Sequence, residues 1–379
     1  MRFGSGHLAY CTNIHPAESW ADTFTAISTH TMAVRDAVGS KDQPYAIGLR
    51  LAARAAQELL EGTHLEDFKR WLASENAYVF TINGFPYGDF HTTRVKERVF
   101  QPDWTTRERL DYTKNLFNIL AAILPEGVDG SVSTLPGSHK TFHAEETPIF
   151  AHLEELALFL DDLSDRTGHD LHLGLEPEPL GHFENTGETL RFFERMKTVS
   201  PDPARLLRRL GINYDACHFA LQYEDARTSL DALVAAGLRI SKIHLSSAVA
   251  LDPRNPEAVT ALAAFDEPIY FHQVLAREPD GSIQRFVDLP DALAALQADG
   301  TAAEEWRVHF HIPLDAEPVP PLRSTHQQVR DVLAWRRDHP DTCTHYEIET
   351  YTWGVLPQSL HRPVVEQIAA EYRWVLGEC

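Results

Sequence analysis

The chain has 379 residues, 43% of them hydrophobic and 23% charged, enough apolar material for a sizeable packed core. Its 34 basic against 55 acidic residues leave a formal charge of −21, which repels a polyphosphate strand and argues against nucleic-acid binding. No apolar run approaches the roughly 20 residues needed to cross a bilayer, the opening MRFGSGHLAYCTNIH lacks the apolar stretch of a secretory leader, and Cys11, Cys217, Cys343 and Cys379 form neither a CxxC pair nor a disulfide framework; a cytoplasmic protein with a small-molecule partner is expected, its oligomeric state open.

In chain order, short apolar runs predict strands over 8–13, 46–51, 78–82, 129–134, 171–176, 211–215, 240–244, 306–312 and 344–350. Between them, apolar faces with a helical period predict helices over 52–74, 105–124, 149–165, 188–198, 225–236 and 325–338, and a last one from Pro363 in its first turn to Gly377 past its end. Strands alternating with helices argue for an α/β chain with a parallel sheet. The length suits one (β/α)8 TIM barrel with insertions, so residues 1–379 are read as a single domain. A closed barrel takes eight strands and nine are predicted, so either AIGLRL or RVHFHIPL lies outside the wall. Two stretches read as insertions. Residues 266–290 read as two strands around Pro279-Asp280-Gly281, a hairpin, and the aromatic segment 83–104 is a long mouth loop in which Tyr87, Phe90 and Trp104 could stack on a flat ligand or simply cover the barrel end.

The chemistry lies where strands end. Glu176 closes HLGLE, Asp215 and His218 sit in INYDACH, His244 closes SKIH, His309 and His311 sit in VHFH, and Glu349 closes THYEIE. Carboxylates and imidazoles at the carboxyl ends of successive strands are what a metal site in a barrel mouth requires. Each residue also has a plain reading: Asp215 as a helix cap, His244 as a bonded core histidine, and Glu347 and Glu349 neutralised by Lys242 or Arg307. Glu349 is preferred to Glu347, and His311 to His309, because each lies nearer its strand's end; Glu178 competes with Glu176. His15, beyond the first strand, is a candidate substrate contact, and Cys217 is a small buried residue or a reactive thiol. No GxGxxG or P-loop pattern appears, so nucleotide binding has no support.

The order Glu in LGLEPEP, Asp-x-x-His in YDACH, His in KIH and a late Glu in EIETYTW resembles the xylose-isomerase-like barrels, which include sugar isomerases, sugar epimerases and metal-dependent apurinic endonucleases. More narrowly, LAYCTNIHPAESW, FTINGFPYGDFH, LGLEPEP and HYEIETYTW look like the EboE-type metabolite traffic proteins of bacterial ebo clusters. The resemblance implies the barrel fold, a metal held by Glu176, Asp215, His244 and Glu349, and proton transfer by Glu176 and Glu349. His218, His309 and His311, with His15, would then touch substrate or hold a second ion. Such ligands fit manganese, cobalt, zinc or iron better than calcium, with magnesium admitted. Where the endonucleases carry a ligand histidine, Leu135 stands in LPGSH, which puts a trinuclear cluster in doubt. The expected function is a metal-dependent isomerase or epimerase of a sugar-like or polyol metabolite. A metal-dependent hydrolase or phosphoesterase, and a metabolite-binding traffic protein without turnover, are the alternatives.

Overall fold

The structure, a computed structural model, describes residues 1–39, 42–88 and 96–378. Its strands are β1 (Arg2–Phe3), β2 (Gly6–Tyr10), β3 (Tyr45–Arg50), β4 (Ala77–Asn83), β5 (Gly130–Thr134), β6 (Leu171–Leu175), β7 (Leu210–Asp215), β8 (Arg239–Leu245), β9 (Val249–Leu251), β10 (Val274–Arg277), β11 (Ile283–Phe286), β12 (Glu305–Val308), β13 (Arg323–Ser324) and β14 (His345–Ile348). The first sheet runs β1-β2-β14-β8-β7-β6-β5-β4-β3, and a parallel bridge between Cys11 and Gly48 joins β2 to β3. Apart from the antiparallel β1, its eight strands are parallel and close into an α/β barrel. Strands buried on both faces explain the continuous apolar runs: LHLGL and LGINYD are buried throughout, covered outside by helices and inside by the barrel core.

AIGLRL is barrel strand β3, and RVHFHIPL supplies β12, which lies outside the wall. That strand belongs to a five-stranded antiparallel sheet, β11-β10-β12-β9-β13, inserted between β8 and β14. The predicted hairpin is present as β10 and β11, with Gly281 in the left-handed region (φ +84°) at its turn. The insertion is larger than 266–290, because β9, β12 and β13 are recruited from its flanks to complete the sheet. It has an apolar cluster of its own around Leu251, Leu262, Trp306 and Phe310, and Trp353 packs against both this cluster and the barrel core.

Most predicted helices stand, with capping residues at their starts: Thr106 before Arg107–Ile123, Asn185 before Thr186–Val199, and Asp225 before Ala226–Ala235. The predicted 52–74 helix is two, Ala53–Leu59 and His64–Ser74, broken where Gly62 takes φ +56°. The last helix, Val364–Gly377, takes in the glycine expected beyond its end. In the mouth loop, Phe90 lies outside the described residues. Trp104 is fully buried, donating to Thr134 Oγ1 at 3.1 Å, and Tyr87 packs on Tyr112, so neither is a stacking platform for a ligand. Phe85 and Phe100 line the mouth cavity instead.

Candidate functional site

The carboxyl ends of β6, β7, β8 and β14 bring Glu176, Asp215, His244 and Glu349 together, with one potential ligand atom from each within 4.8 Å of the others. All four are buried. His244 is the centre. Its Nδ1 lies 3.3 Å from Glu176 Oε1, 3.5 Å from Asp215 Oδ2 and 3.0 Å from Glu349 Oε2, and its Nε2 meets Glu347 Oε2 at 3.0 Å.

Each carboxylate is oriented in the same way, with one oxygen held by neutral donors and the other turned to the imidazole. Asn213 donates to Glu176 Oε2 at 2.7 Å. Asn13 and Asn83 donate to Glu349 Oε1 at 2.9 and 3.2 Å. Asp215 Oδ1 accepts from Ser246 Oγ at 2.7 Å and from the His218 amide at 3.0 Å, while its Oδ2 is buried without a hydrogen-bond partner. Asp215 is therefore the helix cap that the plain reading expects, heading Ala216–Leu221, and still has an oxygen left for the cluster. Asn83 and Asn213 were missed at the level of sequence; both are inward-facing at or near a strand end, but amides carry no metal-ligand signature.

One layer down, Glu347 and Lys242 are fully buried and paired at 2.6 Å, and Lys242 also reaches Ser133 Oγ at 2.8 Å. Burial raises the Glu347 pKa, but the lysine and His244 outweigh it and pull it down to about 2. The lysine thus serves Glu347, not Glu349, and Arg307 turns away to Glu305. With Glu347 anionic at Nε2, a His244 proton belongs there, so the Nδ1 that faces the three carboxylates is the nitrogen a cation would take. Gly48 makes room for this arrangement, since a Cβ there would stand 2.0 Å from Glu347 Oε1.

The fit to a divalent cation follows from these contacts. Buried like charges need a compensating cation or proton, and among the described residues no lysine or arginine nitrogen lies within 4.0 Å of Glu176, Asp215 or Glu349. Without an ion the charge falls on His244: burial lowers its pKa, yet Glu349, Glu176 and Asp215 raise it well above the ordinary value. For Asp215, burial raises the pKa while His218, His244 and His311 bring it well below.

A second group adjoins the first. His218 Nδ1 donates to the Pro177 carbonyl at 2.9 Å, His309 Nδ1 to Gln273 Oε1 at 2.7 Å and His311 Nδ1 to the Glu349 carbonyl at 3.0 Å. The Nε2 lone pairs are left inward, those of His309 and His311 only 3.4 Å apart. Burial, then the neighbouring imidazoles, keep His309 neutral, its pKa well below the usual one; His218 is lowered in the same direction, chiefly by burial. His309 and His311 do not share a strand: β12 ends at Val308, and both histidines lie in the irregular stretch that carries the inserted sheet over the barrel mouth.

Glu178 also approaches His218 and His309, and burial together with Glu176, Asp215 and Glu349 raises its carboxyl well above the usual range. His15 is held elsewhere, bonded to Tyr10 Oη at 2.9 Å and stacked on His30, and is not among the residues lining the cavity. Cys217 is a buried free thiol whose pKa burial raises, the packing reading rather than the reactive one.

No family model matches the chain, and no curated protein matches it. Among solved structures it is similar to the probable 3-DHS dehydratase AsbF of Bacillus anthracis (12% identity, TM-score 0.49, covering 99% of each chain). It is also similar to the IOLI protein with a binding zinc atom (11%, TM-score 0.47, 98% of this chain and 97% of that one), and to L-ribulose 3-epimerase (9%, TM-score 0.49, 98% and 93%). Likenesses this distant carry no argument about chemistry, which rests on the side chains described above.

Proposed function

We propose that the protein is a metal-dependent isomerase or epimerase that moves a proton next to the carbonyl of a small hydroxycarbonyl compound. The observation that carries this reading is the set of three buried carboxylates, each with one oxygen held by uncharged donors and the other aimed at the Nδ1 of His244. Glu176, Asp215, His244 and Glu349 would hold the ion. When bound, a divalent cation polarises a carbonyl and its neighbouring hydroxyl as a Lewis acid.

Glu176 and Glu349 both line the mouth cavity, and β7 and β8 separate their strands around the barrel, so they flank a ligand from two sides. One would take the carbon-bound proton and the other return it. Asn213 on one side, Asn13 and Asn83 on the other, fix which oxygen of each faces the ligand. Lys242 and Glu347 position His244 without touching the ligand.

The test is exchange in heavy water. Metal-loaded protein should exchange a carbon-bound proton of a hydroxyketone substrate, found in a pooled screen by NMR or mass spectrometry, and Glu176→Gln or Glu349→Gln should abolish exchange while the chain stays folded. Equal exchange by the double glutamine variant rejects these roles. Metal-dependent binding with neither exchange nor bond cleavage makes the protein a binder. That outcome would fit the EboE-type traffic resemblance, which rests on the sequence segments alone and bears on pathway context rather than chemistry.

A hydrolase is the second reading, favoured by the facing Nε2 atoms of His309 and His311 beside Asp215 and His218, a donor set for a second ion. Ion stoichiometry separates the two: one tightly held ion per chain fits the isomerase and two fit the hydrolase.

A further inference from the structure

We infer that the mouth takes a ring compound with a carbonyl and an adjacent hydroxyl on one edge and an otherwise apolar body, rather than a fully hydroxylated sugar. The inference rests on the floor of the cavity being the metal site proposed above and concerns the walls, which that proposal does not use.

The cavity is open to solvent on one side, and the space between its walls, counting the solvent at its opening, is about 630 Å³. Its carboxylates and imidazoles, Glu176, Glu178, Glu349, His218 and His309, gather at the metal-site end, and Asn13, Asn83, Gln273 and Lys96 are its other described polar lining residues apart from two tyrosines. Its walls are aromatic. Phe85 and Phe100 come from the mouth loop, Tyr270 and Phe271 from the insertion ahead of β10, and Tyr351 from the turn after β14. These rings brace one another: Phe85 meets Phe100 edge-on at 5.4 Å, Tyr270 meets Tyr351 edge-on at 5.2 Å, and Phe100 packs on His139 at 4.8 Å. A braced aromatic wall is a preformed surface for an apolar body.

A polyol, by contrast, needs a partner for each hydroxyl it buries, because a buried hydroxyl without one loses its water and gains nothing. The amides of this cavity are already engaged. Asn13 and Asn83 donate to Glu349, and Gln273 accepts from His309 Nδ1 at 2.7 Å while its amide nitrogen donates to the Pro179 carbonyl at 3.3 Å. Lys96, the single lysine or arginine among the described lining residues, is bonded to Asp288 with its ammonium 5.2 Å from the centre of the Phe271 ring.

Two ketones isolate the difference. 2-Hydroxycyclohexanone and 2,3,4,5,6-pentahydroxycyclohexanone share the ring, the carbonyl and the neighbouring hydroxyl, and differ in four further hydroxyls. Calorimetric titration of the full chain loaded with manganese should find the first bound about tenfold more tightly or better. Phe271→Ala should weaken the first by about fivefold or more and leave the second within about twofold, and Phe85→Leu, which keeps the wall apolar, should hold the first within about threefold of the parent. Thermal unfolding and elemental analysis on each variant establish that fold and ion are retained. Tighter or equal binding of the pentahydroxy ketone, an equal response of both ketones to Phe271→Ala, or failure of the parent to bind either one overturns the inference. A parent chain that holds no manganese sinks the metal reading instead, and the ratio of the two affinities on that same chain still decides what the walls prefer.

Discussion

At the amino ends of the strands, Asp129 lies between His172 Nε2 at 3.2 Å and His345 Nε2 at 3.3 Å and is met by Arg239 at 3.3 Å, while Arg239 also pairs with Asp170 at 2.8 Å. At the carboxyl ends, three carboxylates gather around His244 with no arginine or lysine in reach among the described residues. Both groups place aspartate and histidine at ligand distances from one another. The difference is in what compensates the charge. Arg239 makes the base a closed salt-bridge network, whereas the mouth holds its carboxylates with asparagine and serine, which orient them and leave their charge in place. A site for a cation is marked less by its ligand types than by the neutrality of the groups that hold them.

The largest expected effect falls on Lys242, fully buried beneath the mouth. Lys242→Met leaves the buried Glu347 with only His244 as a partner for its charge, so denaturant unfolding should show a loss of about 3 kcal/mol. The double variant Lys242→Met/Glu347→Leu should recover much of it. A loss below about 1 kcal/mol in the single variant would mean that the pair carries little of the mouth's support.

The base should respond to pH in a way the mouth does not dictate. Burial and then Arg239 lower His172 from 6.5 to about 4, so between those values the unfolded chain binds a proton that the folded chain refuses. Stability from this residue is present above pH 6.5 and falls as the pH drops towards 4. His172→Gln should remove on the order of 2 to 3 kcal/mol of the stability difference between pH 7 and pH 4. An unchanged pH profile in that variant would show that His172 does not titrate with unfolding.

The smallest effect in free energy sharpens the comparison most. Asp215→Asn should lose about tenfold or more in manganese or zinc affinity and keep its helix cap, while Asp129→Asn should leave ion content unaltered and lower the melting temperature. Equal ion affinity in Asp215→Asn and the parent, or ion loss from Asp129→Asn, would exchange the roles assigned to the two ends.

The mouth was largely legible in the sequence because Glu176, Asp215 and His244 each end an apolar run, and β14 ends one residue short of Glu349. The preference for Glu349 over Glu347 rested on distance from the strand end, and the fold puts Glu347 a layer down on Lys242. RVHFHIPL was ambiguous for a physical reason: an apolar run does not say whether its partners are parallel or antiparallel, and β12 pairs only with antiparallel neighbours. Trp104 and Tyr87 could be read as stacking or as covering the barrel because aromatic composition says nothing about which face a ring turns to, and both pack into the protein. Asn83 and Asn213 escaped because their role exists only in the closed barrel, where Asn83 at the end of β4 reaches Glu349 after β14 and Asn213 on β7 reaches Glu176 after β6.

The seam of the barrel has a consequence for how the protein is made. β2 pairs with β14 in the register His7 to His345, so the first and last barrel strands meet across almost the whole chain. Glu347 belongs to that final strand and Glu349 follows it directly. A ribosome-bound chain that has released everything through β8 already has Glu176, Asp215 and His244, but the His244 ring has neither carboxylate of the closing segment, and Glu349 has not yet met Asn13 or Asn83. Long-range closure of this kind comes late in folding. The cluster is assembled by the same event that shuts the barrel, and a chain stalled short of that event carries the parts of a site without the site.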